Sequence, residues 1–339
     1  MSEPITFHTG KLPLEYLNSL LRRYTRSDPR LVAGPGVGED VAVIDLGDRY
    51  MVVKTDPITF ATAEIGWYAV NVNANDIATS GATPLWMLAT LLLPEHGTTP
   101  ELVEGIFHQL HTACTDLGVL LVGGHTEVTW GLERPIVSGV MIGEVAHDKL
   151  LLTSNAREGD TVLLVKGVPI EATAIIAREK SVELRARGWS EAALERAQNY
   201  LYDPGISVVA AARLAAGHAG THAMHDPTEG GLCTGLHELA YAAGTGILVQ
   251  AEAVPIYPEG AALCAAFDLD PLGAIASGGL IVAVAPEAAQ GLLALYAREG
   301  VPCAAIGVLT PPGSGMWLER AGVRSPLPRY DSDEISRLF

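Results

Sequence analysis

Five carboxylate-bearing sites stand beside glycines or at the ends of apolar runs: Gly38-Glu39-Asp40, Thr55-Asp56, Asn75-Asp76, Thr126-Glu127 and His225-Asp226-Pro227-Thr228. Hard divalent cations such as Mg²⁺ take oxygen ligands, commonly a few carboxylates together with nucleotide phosphates, and ligands of α/β proteins gather at strand ends. One Asp or Glu next to a glycine normally makes a turn or a cap; the shared context of the five is what points to chemistry. Asp76 adds a second signal, because it sits with Asn71, Asn73 and Asn75 in the otherwise apolar helical stretch 65–80. Asn and Asp are poor helix-interior residues. Asn73 and Asp76 are three apart, and Asp76 and Ser80 four apart, so each pair shares a helix face. Such a polar stripe has to be satisfied, either by neighbouring loops or by a bound metal–phosphate group.

Two glycine-rich turns accompany these acids. Gly123-Gly124-His125-Thr126-Glu127 follows the run Val119–Val122, which reads as a buried strand ending at the glycines, and adjacent glycines allow close backbone approach to a ligand. Asp226-Pro227-Thr228-Glu229-Gly230-Gly231 reads as a turn opening a helix with Asp226 or Thr228 as its cap. The N–H groups at such a helix start either bind an anion or are merely capped. The pairs His108/His111 with Cys114, and Cys233 with His237, put too few ligands on one helix for a zinc site. No G-x-S-x-G, Walker A or G-x-G-x-x-G sequence stands in its required context.

The elements that must position these residues alternate in type. Strand patterns lie at 41–44, 51–53, 119–122, 136–145, 161–165, 222–225, 247–250, 279–284 and 303–308. Helical patterns lie at 65–80, 100–117, 170–180, 190–201, 206–216, 230–243, 259–267 and 286–298. The helix 100–117 is the clearest, with Thr99 as N-cap, Pro100 at its first position and Gly118 as its stop. This alternation means an α/β or α+β protein. The polar stretch Thr153–Asp160 marks a boundary near 146–160 and divides the chain into 1–150 and 151–339.

Composition excludes several classes. With 339 residues, 48% hydrophobic and 18% charged, the chain can bury a large core. Its net charge of −17 repels nucleic acid and anionic lipid, and the densest basic stretch, Arg22 to Arg30, is too sparse to override that. The longest apolar run, Leu85 to Leu93, is far shorter than the roughly 20 residues a bilayer needs. Met1 to Lys11 carries no signal-peptide pattern, and the scattered Cys114, Cys233, Cys264 and Cys303 fit reduced thiols, so a cytoplasmic protein is expected.

In order, Gly38-Glu-Asp-Val-Ala-Val43, Thr55-Asp56, Asn71-Val-Asn-Ala-Asn-Asp76 with Gly81-Ala-Thr-Pro84, Gly123-Gly-His-Thr126, Asp226-Pro-Thr-Glu-Gly-Gly231 and Ala276-Ser-Gly-Gly279 resemble the aminoimidazole ribonucleotide synthase superfamily, nearest its hydrogenase-maturation, carbamoyl-dehydratase branch. The resemblance implies two domains, an N-terminal mixed-sheet dimerisation domain and a C-terminal α/β domain, with ATP and Mg²⁺ as cofactors and a homodimer as the assembly. It implies Mg²⁺ ligands at Asp40, Asp56 and Asp76 and catalytic roles for Asp40, Asp226 and His125. It also implies nucleotide contacts at Gly38, Asn73, Gly123, Gly124, Thr126, Thr228 and Gly230. The expected reaction is ATP-dependent phosphorylation or activation of a small acceptor; a nucleotide-binding accessory protein without turnover is the alternative. Three positions depart from the pattern: His125 stands where the family has an acid, Glu127 where the branch often has Lys, and Glu229 where the D-x-T-R-G-G motif has Arg. The branch also ends in a cysteine that carries the carbamoyl group. Here the last residues are Leu338 and Phe339, read as docking on an apolar surface, and the last cysteine, Cys303, falls in a strand-like run.

Overall fold

The computed structural model describes residues 7, 12–34, 36, 38–59, 61, 63–330 and 332–339. The expectation for Met1 to Lys11 therefore lies outside the described residues, Phe7 apart. Alternating apolar residues build a first sheet from β1 (Leu31–Ala33), β2 (Ala42–Asp45), β3 (Tyr50–Ile58), β4 (Thr83–Pro94), β5 (Leu120–Thr129) and β6 (Ile136–Val145), in the spatial order β1-β2-β3-β6-β4-β5. Only β4 and β5 run parallel; the other pairs are antiparallel. A second sheet follows with β7 (Thr161–Val165), β8 (Thr221–His225), β9 (Gly246–Gln250), β10 (Leu280–Val284), β11 (Cys303–Thr310), β12 (Met316–Arg320) and β13 (Val323–Pro326), ordered β13-β12-β9-β11-β7-β10-β8. Both sheets are mixed, and the fold is the two-sheet α+β arrangement the sequence implies.

The helices are α1 (Leu14–Tyr24), α2 (Ile65–Thr79), α3 (Pro100–Leu117), α4 (Glu171–Glu179), α5 (Ser181–Ala186), α6 (Glu191–Asn199), α7 (Val209–Ala216), α8 (Gly231–Ala243), α9 (Pro258–Ala266) and α10 (Pro286–Arg298). Among the described residues, no helix is long and apolar enough to cross a membrane. The signals read for α3 act as expected: the Thr99 hydroxyl accepts from the Leu102 N–H, Pro100 begins the helix, and Gly118 ends it at φ 70°.

Helix α2 is the centre of the molecule. All of its residues except Trp67 are buried, which happens only to a helix packed on every side. One side lies on β3, β6 and α3; the other meets α7 and β8 of the second half. Gly139 on β6 lets it approach, since a Cβ there would come within 2.6 Å of the Asn73 amide nitrogen. Its buried asparagines serve as struts. Asn73 accepts the Asp56 N–H and donates to the Asp56 and Ala69 carbonyls, while Asn71 donates to Trp67 O. Asn75 donates to Ile206 O at 2.9 Å and accepts the Val208 N–H at 2.8 Å, and so fastens the two halves together.

Three readings need correction. β5 neither ends at Gly123–Gly124 nor is buried. It runs on to Thr129 and is exposed along its length, because it is an edge strand with no covering layer among the described residues. Gly124 serves the sheet here: at φ 148° it lies so close to β4 that a Cβ would collide with the Ala89 carbonyl. Neither Asp226 nor Thr228 caps α8. That helix starts at Gly231, with Gly230 as N-cap in the left-handed region at φ 79° and no side-chain cap bond. The apolar run Leu85–Leu93 is the core of β4, and the described tail packs with Leu338 against the core while Phe339 stays half exposed beneath the Lys180 ammonium.

Asn75→Ala would leave Ile206 O and the Val208 N–H buried and unpaired, at about 1–3 kcal/mol for each lost partner. We expect a loss of about 2–5 kcal/mol in urea unfolding, with the circular dichroism of the native state unchanged. A loss below 1 kcal/mol would show that Asn75 is not the fastening.

Candidate functional site: an acidic cluster at the seam of the two sheets

Asp40 follows the turn at Gly38, whose φ of 83° and 2.9 Å approach to the Glu238 carbonyl admit no side chain without strain. Glu39 anchors the same turn by accepting the Thr153 and Ser154 N–H groups. Asp76 comes from the middle of α2, and Asp226 from the end of β8. Carboxylate oxygens of Asp40, Asp76 and Asp226 lie within 4.8 Å of one another, and the buried oxygens of Asp226 have another acid, Asp76, as their side-chain hydrogen-bonding neighbour. Burial raises Asp226 to about 6, reinforced by the Asp40 charge and opposed by His225 and Lys54. Asp76 is pushed well above the carboxylate range, first by burial and then by Asp226, Asp56 and Asp40. Three oxygen donors converging at this separation, two of them buried, fit a hard divalent cation.

Two basic groups that the sequence reading did not single out complete the cluster. The Lys54 Nζ is 3.2 Å from Asp76, 3.3 Å from Asp56 and 4.0 Å from Asp40, and its side chain is 13% exposed. Burial alone would lower Lys54, but Asp76, Asp40, Asp56 and Asp226 together hold it well above the usual lysine value. His225 is clasped between Asp40, 3.1 Å from Nδ1, and Glu238, 3.0 Å from Nε2. Burial works against its charge too; Asp40 and Glu238 prevail and hold it well above 6.5. A lysine on a strand that alternates, and a histidine just before an Asp-Pro turn, carry no sequence signal beyond lying next to Thr55-Asp56 and Asp226.

The remaining candidate residues lie elsewhere. Asp56 reaches the cluster only through Lys54, and the Asn73 amide is engaged at both ends by backbone. The register places Asp56, Gly139, Ala89 and Gly124 in one row, so Gly124 stands three strand spacings, about 14 Å, from Asp56 within the chain. His125, next along β5, pairs at 3.1 Å with Glu127 on the exposed edge. Thr126 is exposed on the same strand, and Gly123 beside it has nothing within 4 Å of where a side chain would begin. Thr228 uses its carbonyl to accept the Gly231 and Ala276 N–H groups. Gly230 donates its N–H to Asp333 at 2.7 Å, and Asp333 also accepts from Ile275 and Ile335, so the start of α8 is already supplied with a carboxylate.

A fourth buried acid, Glu171, opens α4 with Oε2 unpartnered, beside Ser277. Burial raises it to about 7, while its contact with Ser277 pulls the other way. Its folded value exceeds the ordinary 4.5, so the stability it lends is complete below pH 4.5 and is lost as pH rises through 7. Glu171→Gln should therefore be more stable than the parent at pH 8, by on the order of 3 kcal/mol at most, and gain nothing at pH 4.5. Urea midpoints at the two pH values check this; a gain equal at both would remove the ionisation argument.

The family profile described as AIR synthase related protein, N-terminal domain, matches residues 38–145, and the C-terminal domain profile matches 157–317. The carbamoyl dehydratase HypE of Rhizobium leguminosarum bv. viciae is 32% identical over 282 residues, covering 80% of this chain and 76% of its own. A putative hydrogenase expression/formation protein of Methanocaldococcus jannaschii is 28% identical over 308 residues, 88% of each chain. Among solved structures, hydrogenase maturation protein HypE in complex with ATP is similar at TM-score 0.67 and 24% identity, over 96% of both chains.

Proposed function

The chain belongs to the AIR synthase related family, on the HypE branch, and on that premise we propose that it binds Mg-ATP at the acidic seam and uses it to phosphorylate, and so activate, a separate small acceptor. The observation that supports this reading is the convergence of the Asp40, Asp76 and Asp226 carboxylates, two of them buried, from both halves of the chain. Magnesium, when bound, supplies neutralisation of the nucleotide phosphates, the main requirement of phosphoryl transfer. The chain's own residues do the positioning. Asp40, Asp76 and Asp226 hold the ion, His225 and Glu238 fix the Asp40 carboxylate, and Lys54 offers a buried positive charge to a phosphate oxygen. Residues 1–150 supply Asp40, Lys54 and Asp76, and residues 151–339 supply Asp226 and His225. The ATP complex of the similar maturation protein supports the choice of nucleotide.

A separate acceptor is supported by the four cysteines of this sequence, none of which is suited to carry a group. Cys114, Cys233 and Cys264 are buried, and burial raises Cys114 to about 11 and Cys233, Cys264 and Cys303 to about 12. The assembly is a homodimer through the first sheet. Leu120, Val122 and Val128 on the bare edge strand are more than half exposed, and Trp130 beside them is 82% exposed. An accessory role without turnover is the second reading, favoured by His125 and Glu127, which pair with each other where the resemblance expects an acid and a lysine.

Mg-ATP at 100 times its dissociation constant should stabilise the chain by about 2.7 kcal/mol in a thermal shift assay. Asp226→Asn should keep the fold and lose the Mg²⁺-dependent part of the shift; a variant that responds like the parent would overturn the site. ATP consumed only when an acceptor is present supports the enzyme, and binding without consumption under every acceptor supports the accessory reading. Static light scattering at micromolar concentration should give twice the chain mass, and a mass near 35.7 kDa would refute the dimer.

A further inference from the structure

We propose that Lys54 is the resident cation of the acidic seam, standing where a second metal ion would bind, so that the site takes one divalent ion per chain instead of two. The inference rests on the ion-binding part of the proposed function and adds its stoichiometry.

Four aspartates surround the seam, enough for a two-ion centre in which ions about 3.5–4 Å apart share a bridging carboxylate. The four do not converge equally. Asp40, Asp76 and Asp226 form one group with oxygens within 4.8 Å, close to the roughly 4 Å that separates opposite oxygens around Mg²⁺ at about 2.1 Å. Asp56 is outside that group. Between Asp56 and Asp76, the carboxylate that would bridge, lies the Lys54 ammonium, 3.3 Å from one and 3.2 Å from the other. The second position is thus taken by a covalently tethered charge.

Strand register holds it there. Val52, Lys54, Asp56 and Ile58 alternate onto the β3 face that carries α2, with Val52 and Ile58 buried. Lys54 cannot turn to solvent without leaving Asp76, whose side chain is 3% exposed, buried beside its acidic neighbours with no cation. The independent sign of a vacancy is on the other side of Asp76: Asp226 is 2% exposed, no N–H donor bonds either of its oxygens, its side-chain hydrogen-bonding neighbour is another acid, Asp76, and Lys54 and His225 reach it only through their charge.

The test counts Mn²⁺ as a probe metal, by equilibrium dialysis and by the electron paramagnetic resonance of free Mn²⁺, on the full chain without nucleotide. The parent should bind one Mn²⁺ per chain, Lys54→Arg one, and Lys54→Met two, with the second lost again in Lys54→Met/Asp56→Asn. Asp56→Asn alone should keep one ion with affinity changed less than threefold, which tests the assignment even if Lys54→Met fails to fold. Two ions or none on the parent, one ion on folded Lys54→Met, or a tenfold weakening by Asp56→Asn overturns the proposal. Because nucleotide is left out, a chain that counts one ion yet gives no Mg-ATP shift refutes the proposed function and leaves this assignment standing.

Discussion

Taking a carboxylate out of water costs several kcal/mol unless a charge or a set of donors replaces the solvent. This protein does it repeatedly at one seam, with Asp76 and Asp226 nearly inaccessible and Asp40 and Asp56 partly so. Lys54 and His225 are what make the arrangement tolerable, and each is itself kept charged by the acids around it. The balance is incomplete, since the side-chain hydrogen-bonding neighbour of Asp226 is another acid, Asp76. Acids gathered this closely between the two halves would be relieved by a cation, and helix α2 and the turns around it hold them where they are.

Helix α2 does most of the holding. An amphipathic surface helix needs one apolar face, but this one is enclosed on all sides and spends its polar residues on backbone groups of both halves. Asn73 sets the level of Asp56 on β3, and Asn75 sets the position of residues 206–208 in the second half. Between them Asp76 is aimed without freedom to adjust. Preorganisation of this sort keeps donors at fixed positions when charge arrives.

Parts of this were legible from residue types alone. Asn and Asp inside an apolar helix pointed to an α2 buried among polar partners, and of the five acid-bearing places read from the sequence, those of Asp40, Asp76 and Asp226 meet at the seam while Thr126-Glu127 lies on the exposed edge strand. Lys54 was not legible, because a lysine two residues from an aspartate on an alternating strand has the pattern of a solvated surface; only the packing of α2 over that face turns it inward. The run after Val119 looked buried because its residues are apolar, yet an edge strand's environment is set by its place in the sheet order, which local sequence does not encode. The α8 cap was misread for a related reason: two consecutive glycines in the left-handed region delay the helix, and the carboxylate that serves its start, Asp333, lies over a hundred residues away.

The junction made by Asn75 and His225 has a bearing on motion. Asp40 and Asp76 belong to one half and Asp226 to the other, so an ion held by all three is a clasp across the seam as well as a ligand. Opening of the halves and release of such an ion would be coupled, each shifting the other by the same free energy. The two hydrogen bonds of Asn75 to residues 206–208 lie along the same junction, so loosening them would also loosen the grip on such an ion.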